Sequence, residues 1–250
     1  MADDDYLDAV DYTRDDLDVE DLEEVRHAVR LLDVHRTFTL GKKEIPAVQG
    51  VNLTADLGDF VVISGRSGSG KTTLLNLIGA IDLPTSGRVF VMDVPINDYD
   101  ESFRASFRLN NTGFIFQSYN LVSTLTAVEN VMFPMQLYDK SRTELRDEAL
   151  KLLETVGLDE RADHLPWQLS SGEQQRIAIA RAVANDPPII LADEPTANLD
   201  GDSGQMIRGL LSDLNKDGKA VIVMTHDEEI IRQPKVHCYR MTQGVLEQNA

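Results

Sequence analysis

FVVISGRSGSGKTTLLNLIGAI, residues 60–81, reads as a strand, a glycine-rich turn and a helix in direct succession. Phe60–Ser64 is a short β-branched run bounded by glycine, the pattern of a strand. Gly65-Arg66-Ser67-Gly68-Ser69-Gly70-Lys71-Thr72 then fits the phosphate-loop pattern G-x-x-x-x-G-K-[ST]. Glycine lets the backbone curl until successive N–H groups face one point, and the positive end of the following helix dipole adds to that field. Leu74, Leu77, Ile78 and Ile81 recur at helical spacing and predict one buried face. The segment is expected to contact the phosphates of a nucleotide through Gly65, Arg66, Ser67, Gly68, Ser69, Gly70, Lys71, Thr72 and Thr73. In that reading Lys71 meets the β- and γ-phosphates and the Thr72 hydroxyl ligates Mg²⁺. A plain glycine-rich turn would need neither the strand before it nor the helix after it.

Outward from this stretch the same alternation recurs. IILAD (189–193) and AVIVMTH (220–226) are uninterrupted apolar runs of the kind buried in parallel sheets. VRLLDV (29–34) is a further strand, and Gly41, Pro46 and Gly50 suggest hairpins between it and residue 60. Residues 141–157 predict a helix with a Ser141/Glu144 capping box, a face of Leu145, Ala149, Leu152 and Val156, and a stop at Gly157. Another helix runs through GEQQRIAIARAVAN (172–185) and ends before Pro187 and Pro188. The fold class is α/β, with the helical stretch near 120–186 as an insert. The run at 189–193 ends on two acids. Asp193 is placed to reach Mg²⁺ near the loop, and Glu194 to polarise an attacking water.

The whole chain is 250 residues with 42% apolar and 26% charged residues, an ordinary globular composition. One cysteine, Cys238, excludes an internal disulfide framework and suits a reducing compartment. No run approaches the roughly 20 apolar residues of a membrane-spanning helix. The acidic start matches neither a signal nor a transit peptide, so the expected home is the cytosol. The net charge of −18 is uneven: residues 1–26 hold nine Asp and three Glu against Arg14 and Arg26, which is −10 of the total. This charge argues against nucleic acid as a partner. The tail reads either as a solvated appendage or as an acidic helix docking through Leu17, Leu22 and Val25.

Leu169-Ser170-Ser171-Gly172-Glu173-Gln174-Gln175-Arg176 carries the family resemblance. Ser170 with Glu173 would make a capping box without any ligand, yet the segment also resembles the signature of ABC ATPases. Other landmarks follow in order. Phe114-Ile115-Phe116-Gln117 resembles the Q-loop, Asn198-Leu199-Asp200 the D-loop, and Met224-Thr225-His226-Asp227 the segment of the switch histidine. Phe38 stands where the family places an aromatic on adenine; its other reading is a core aromatic. The resemblance covers about residues 28–245. It implies a P-loop NTPase (RecA-like) core with an antiparallel β subdomain and an α-helical subdomain, all within an ABC ATPase domain of residues 27–250. It implies ATP and Mg²⁺ as cofactors. Lys71, Gln117, Glu194 and His226 would be the catalytic set, and Thr72, Gln117 and Asp193 would hold the metal. Ser170, Ser171, Gly172 and Asp200 would reach a nucleotide held by a second copy.

The implied partners are that second copy, in an ATP-bound homodimer, and an integral-membrane permease on a separate chain. The chain would then sit peripherally on the cytoplasmic face of the membrane. FIFQSYNLVSTLTAVENV (114–131) is similar to the ATPases of lipoprotein-release, macrolide-export and cell-division systems. An ABC ATPase not tied to a membrane protein, an importer subunit, and an ATP-binding module without turnover are the alternatives. Glu194 and His226 speak against the last. Two departures stand out: Ser171 replaces the usual Gly, and Glu173 the usual Gln.

Overall fold

The computed structural model describes residues 27–248. The acidic stretch 1–26, with Leu17, Leu22 and Val25, lies outside them. Two sheets organise the chain. The larger has the order β10-β9-β3-β8-β7-β6, in which β3 (Phe60–Ser64), β6 (Thr112–Ile115), β7 (Ile189–Asp193), β8 (Ala220–Met224) and β9 (Val236–Thr242) run parallel. Its edge β10 (Val245–Gln248) pairs antiparallel with β9.

Successive residues of a strand point to opposite faces, so a strand covered on both sides must be apolar throughout. Val61, Ile63, Ile189, Leu191, Ile222 and Met224 face one cluster with Leu74, Leu77 and Ile78 of α1 (Lys71–Ile78). Val62, Ile190, Val221 and Val223 face the other, with Ile179 of α5 (Ser171–Ala182) and Ile207 and Leu211 of α6 (Gly201–Lys216). Each fully buried Val, Leu or Ile is worth about 1.5–3 kcal/mol of transfer free energy. The sheet core therefore holds the loops at its strand ends in fixed positions.

The second sheet is antiparallel, β2-β1-β4-β5, from β1 (Val29–Leu40), β2 (Lys43–Ala55), β4 (Ser86–Val91) and β5 (Val94–Pro95). Residues 29–55 form one hairpin, rather than several, turning at Gly41 with φ 64°. Pro46 and Gly50 lie inside β2, and breaks in register between β1 and β2 absorb them. β1 also runs on to Leu40, past the predicted 34.

Between β6 and β7 lie α3 (Ala127–Met132), α4 (Arg142–Thr155) and α5, which share their own apolar cluster. The Ser141/Glu144 capping box is present, and Gly157 follows α4 with φ 67°. Leu153 rather than Leu152 is the fully buried residue, because it lies one turn beyond Ala149 on the face toward α3 and α5. α5 spans Ser171–Ala182, starting one residue earlier and stopping three earlier than the spacing predicts. Ile81 is 42% exposed, since α1 ends at Ile78 and Ala80 turns the chain away with φ 55°. Fully buried Asn130 holds the loop after β6, accepting from Val122 N and donating to the carbonyls of Val122, Leu125 and Thr126. The described residues include no helix long and apolar enough to cross a membrane.

Candidate nucleotide site

The loop between β3 and α1 is shaped by what lies under it. A Cβ on Gly65 would sit 2.4 Å from the Met241 carbonyl oxygen, and one on Gly70 would sit 2.1 Å from that of Ala47. Gly70 also has φ 106°, which side chains rarely adopt. Glycine is thus required at both places by close backbone approach. Ser69 N donates to Arg66 O at 3.1 Å, and Gly244 N donates to Ser69 O at 2.9 Å, so the turn between β9 and β10 forms the floor. Arg66, Ser67 and Gly68 are exposed above it, and no atom would meet a Cβ on Gly68 within 4 Å. Lys71 is only 8% exposed, and its Nζ donates to the carbonyls of Gly65 at 2.7 Å and Arg66 at 3.4 Å. A cation ringed by loop backbone, at a helix start, makes a cradle suited to an anion. Thr73 follows in α1, partly buried.

The ends of β7 and β8 bring acid groups to this cradle. Thr72 Oγ1 donates to Asp193 Oδ2 at 2.7 Å. Burial pushes the Asp193 carboxyl above the ordinary range; the Thr72 hydroxyl and Lys71 oppose this, and neighbouring Glu194 adds to it. Glu194 sits in the left-handed region, φ 47°, with its N–H donating to Met224 O at 2.7 Å. Such a conformation in a non-glycine residue costs about 1–3 kcal/mol and persists where neighbours over-determine it. Its carboxylate is held on three sides. Thr225 Oγ1 donates to Oε2 at 3.2 Å, His226 Nδ1 lies 2.9 Å from Oε2, and Lys71 Nζ lies 3.7 Å from Oε1. Glu194 is 14% exposed, whereas the His226 side chain is 77% exposed.

No group of three or more His, Cys, Asp or Glu able to hold a metal occurs among the described residues. The pair Thr72 and Asp193 still suits Mg²⁺, a cation that keeps several waters and takes oxygens from substrate phosphates alongside one or two protein ligands. Gln117 lies exposed on the turn after β6, which runs beside β7 with Ile115 opposite Ala192. It therefore leaves the sheet at the same C-terminal strand ends as Asp193.

A second group of residues stands apart. Ser170 caps α5: its Oγ accepts from Glu173 N at 3.3 Å and donates to Glu173 Oε2 at 2.8 Å, while its own N–H donates to that oxygen at 2.8 Å. These bonds, the backbone one foremost, hold the Glu173 carboxyl below its usual range, and Arg161 Nε lies 3.5 Å from its other oxygen. A Cβ on Gly172 would meet Ser203 Oγ at 2.4 Å. Asp200 accepts from that same serine, from N at 2.8 Å and Oγ at 3.0 Å, and so caps α6. Phe38 is 40% exposed with the Arg36 guanidinium 4.7 Å from its ring centre, a surface aromatic rather than a core one. Among the described residues no hydrogen bond joins Phe38, Gln117, Ser170, Ser171, Gly172 or Asp200 to the cradle.

Four contributors escaped the sequence reading. Thr225 orients Glu194, and the Ala47 carbonyl packs under Gly70. Arg208 of α6 donates to Asp227 at 3.0 Å, and Thr196 Oγ1 donates to the same oxygen at 2.8 Å. Burial pushes the Asp227 carboxyl up, but Thr196, the Glu229 amide and Arg208 outweigh it and hold it low. The polar residues beside the 193–194 and 226 positions were the available signal.

Residues 48–197 match the ABC transporter family. An uncharacterised ABC transporter ATP-binding protein of Methanocaldococcus jannaschii is 47% identical over 82% of this chain and 89% of its own length. A macrolide export ATP-binding/permease protein of Chlorobium phaeobacteroides is 45% identical over 81% of this chain, which spans only 31% of that longer protein. Among solved structures, a dimeric post-hydrolysis state of an ATP-binding cassette bound to ADP and Pi superposes with a TM-score of 0.82 at 44% identity, covering 88% of this chain and 98% of the other.

Proposed function

The chain belongs to the ABC transporter family as one of its ATP-binding, ATP-hydrolysing cassettes, and from that premise we propose that two copies close face to face over two ATP molecules and drive a membrane permease on a separate chain. The observation that carries the reading is the setting of Glu194. A strained, nearly buried carboxylate faces the cradle lysine, a threonine hydroxyl and a histidine, beside the Thr72–Asp193 pair. Lys71 would leave the loop carbonyls for the terminal phosphates. The amides of residues 65–73 would hold the rest of the chain of phosphates. Mg²⁺, when bound through Thr72 and Asp193, neutralises phosphate charge. Glu194 accepts the proton of the attacking water, and His226 keeps that carboxylate aimed and meets the γ-phosphate. Gln117 reports occupancy at the sheet edge to the permease. Phe38 lies against the adenine.

In the other copy, the Ser170–Gly172 edge closes the γ-phosphate side and Asp200 approaches across the interface. Ser203, bonded to Asp200, lies against Gly172, so the two elements are neighbours. The work is done at the cytoplasmic face of a membrane, in an export or mechanical-transmission system like those of the macrolide-export relatives. Glu194→Gln should bind ATP, lose turnover and accumulate as a dimer in size-exclusion chromatography with ATP and Mg²⁺. Turnover at the normal rate would remove Glu194 from the role of base.

A further inference from the structure

Trp167 is the one tryptophan of the chain, and it is 75% exposed. A large aromatic left in water on a rigid support is a feature of interaction surfaces, where tryptophan is enriched among the residues that dominate binding. Its support is rigid. Pro166–Gln168 is a 3-10 turn in which Gln168 N donates to Leu165 O at 2.9 Å, Leu169 N donates to Pro166 O at 3.1 Å, and Gln168 Oε1 accepts from Leu165 N at 2.8 Å. Pro166 is buried under the turn, and Gln174 of α5 clamps its far end by donating to Leu169 O at 3.0 Å. The ring is thus displayed three residues before Ser170, on the same stiff segment.

We infer that Trp167 is an anchor of the interface with a second copy of this chain, packing on that copy's nucleotide-loaded face as the Ser170–Gly172 edge closes. The inference rests on the dimer reading above. Continuity chooses the occupant: Leu169 alone separates the Trp167–Gln168 pair from Ser170, so a copy seated on Ser170 arrives beside the turn. The chains that superpose on this one over 88% of its length were solved as dimers. Ordering Trp167 costs little, because its turn is set before the partner arrives.

The single tryptophan makes the test direct. The Glu194→Gln chain is titrated over protein concentration at saturating ATP and Mg²⁺, with tryptophan emission and sedimentation velocity read on the same samples. Emission should shift in step with the dimer fraction and stay fixed at concentrations that leave the chain monomeric. In the same background Trp167→Ala should weaken the dimer by roughly tenfold to a hundredfold, the range of an interface hot spot, and Trp167→Phe should restore part of it. ATP affinity of the monomer should not move. A dimer that forms with unchanged emission, or that Trp167→Ala leaves within about twofold, overturns the anchor while sparing the dimer. Sedimentation that shows no dimer at any concentration overturns both.

Discussion

Glu173→Gln sets stability and dimerisation in opposition, and the contacts of the capping box supply the first magnitude. The amide is isosteric and can keep both bonds from Ser170, but without the charge. A net neutral hydrogen bond is worth about 1 kcal/mol, and a charged acceptor roughly doubles it. The two bonds at 2.8 Å therefore lose about 1–2 kcal/mol between them. An acid in the first helical turn contributes about 0.3–1 kcal/mol more, and the Arg161 pair, half exposed on the arginine side, little. The variant should be about 2 kcal/mol less stable, which for a chain of this size lowers Tm by roughly 4–8 °C. Because the carboxyl is held below its unfolded pKa, its contribution is present above about pH 4.3 and is lost as pH falls through the folded value. The difference between the two proteins should narrow on acidification.

Dimer affinity should move the other way. If dimer closure brings a phosphate to about 8 Å from the Glu173 carboxylate, each phosphate charge is repelled by about 2 kcal/mol at an effective dielectric of 20. Partial neutralisation by Arg161 leaves roughly a tenfold gain for the amide. Thermal unfolding by circular dichroism at several pH values reads the first effect. Sedimentation in the Glu194→Gln background with ATP and Mg²⁺ reads the second. A weaker dimer for Glu173→Gln would show that the charged capping box prepares the α5 terminus rather than opposing the phosphate.

Gly70→Ala would place a methyl 2.1 Å from the Ala47 carbonyl oxygen and should cost more than about 2 kcal/mol in chemical unfolding along with ATP binding; Gly201→Ala, with open space around it, should cost nothing. Lys71→Ala should abolish ATP binding by calorimetry, and unchanged affinity would remove the cradle assignment. Ser171→Gly should tighten the ATP-bound dimer by relieving a side chain at the phosphate edge; a weaker dimer would make the serine hydroxyl a ligand.

The elements legible in the sequence are those whose burial is two-sided or whose caps are written in side chains. Phe60–Ser64 and Ile189–Asp193 carry apolar residues at every position but the last and match β3 and β7 to the residue. Ser141 and Ser170 announce their helices by capping boxes. What stayed hidden has a weaker pattern. α2 (Glu101–Asn111) buries only Arg104 and Phe107, the first with its guanidinium on Glu101, so no apolar stripe marks it. α6 is the exception, since Ile207, Leu210, Leu211 and Leu214 recur at helical spacing and pack on the sheet, a stripe that was open to reading. β9 alternates half-buried and exposed positions next to an edge. In the site, the motifs gave Lys71, Thr72, Asp193, Glu194 and His226, whereas Thr225, the Ala47 carbonyl and Arg208 act through distances that no spacing rule encodes.

The floor of the cradle carries a consequence for the order in which the protein is made. Met241 and Gly244 underlie Gly65 and Ser69, and β3 is flanked by β8 and β9. The phosphate loop at residues 65–72 thus leaves the ribosome long before the strands that fix it. At about 5–20 residues per second, the delay is on the order of ten seconds or more. During that time the apolar strand Phe60–Ser64 has no parallel neighbours, and ATP has no formed cradle to stabilise. Nucleotide therefore cannot guide early folding of this chain. It can only reward a fold already closed by β9 and β10, which makes a frayed β9–β10 hairpin a direct route to losing ATP.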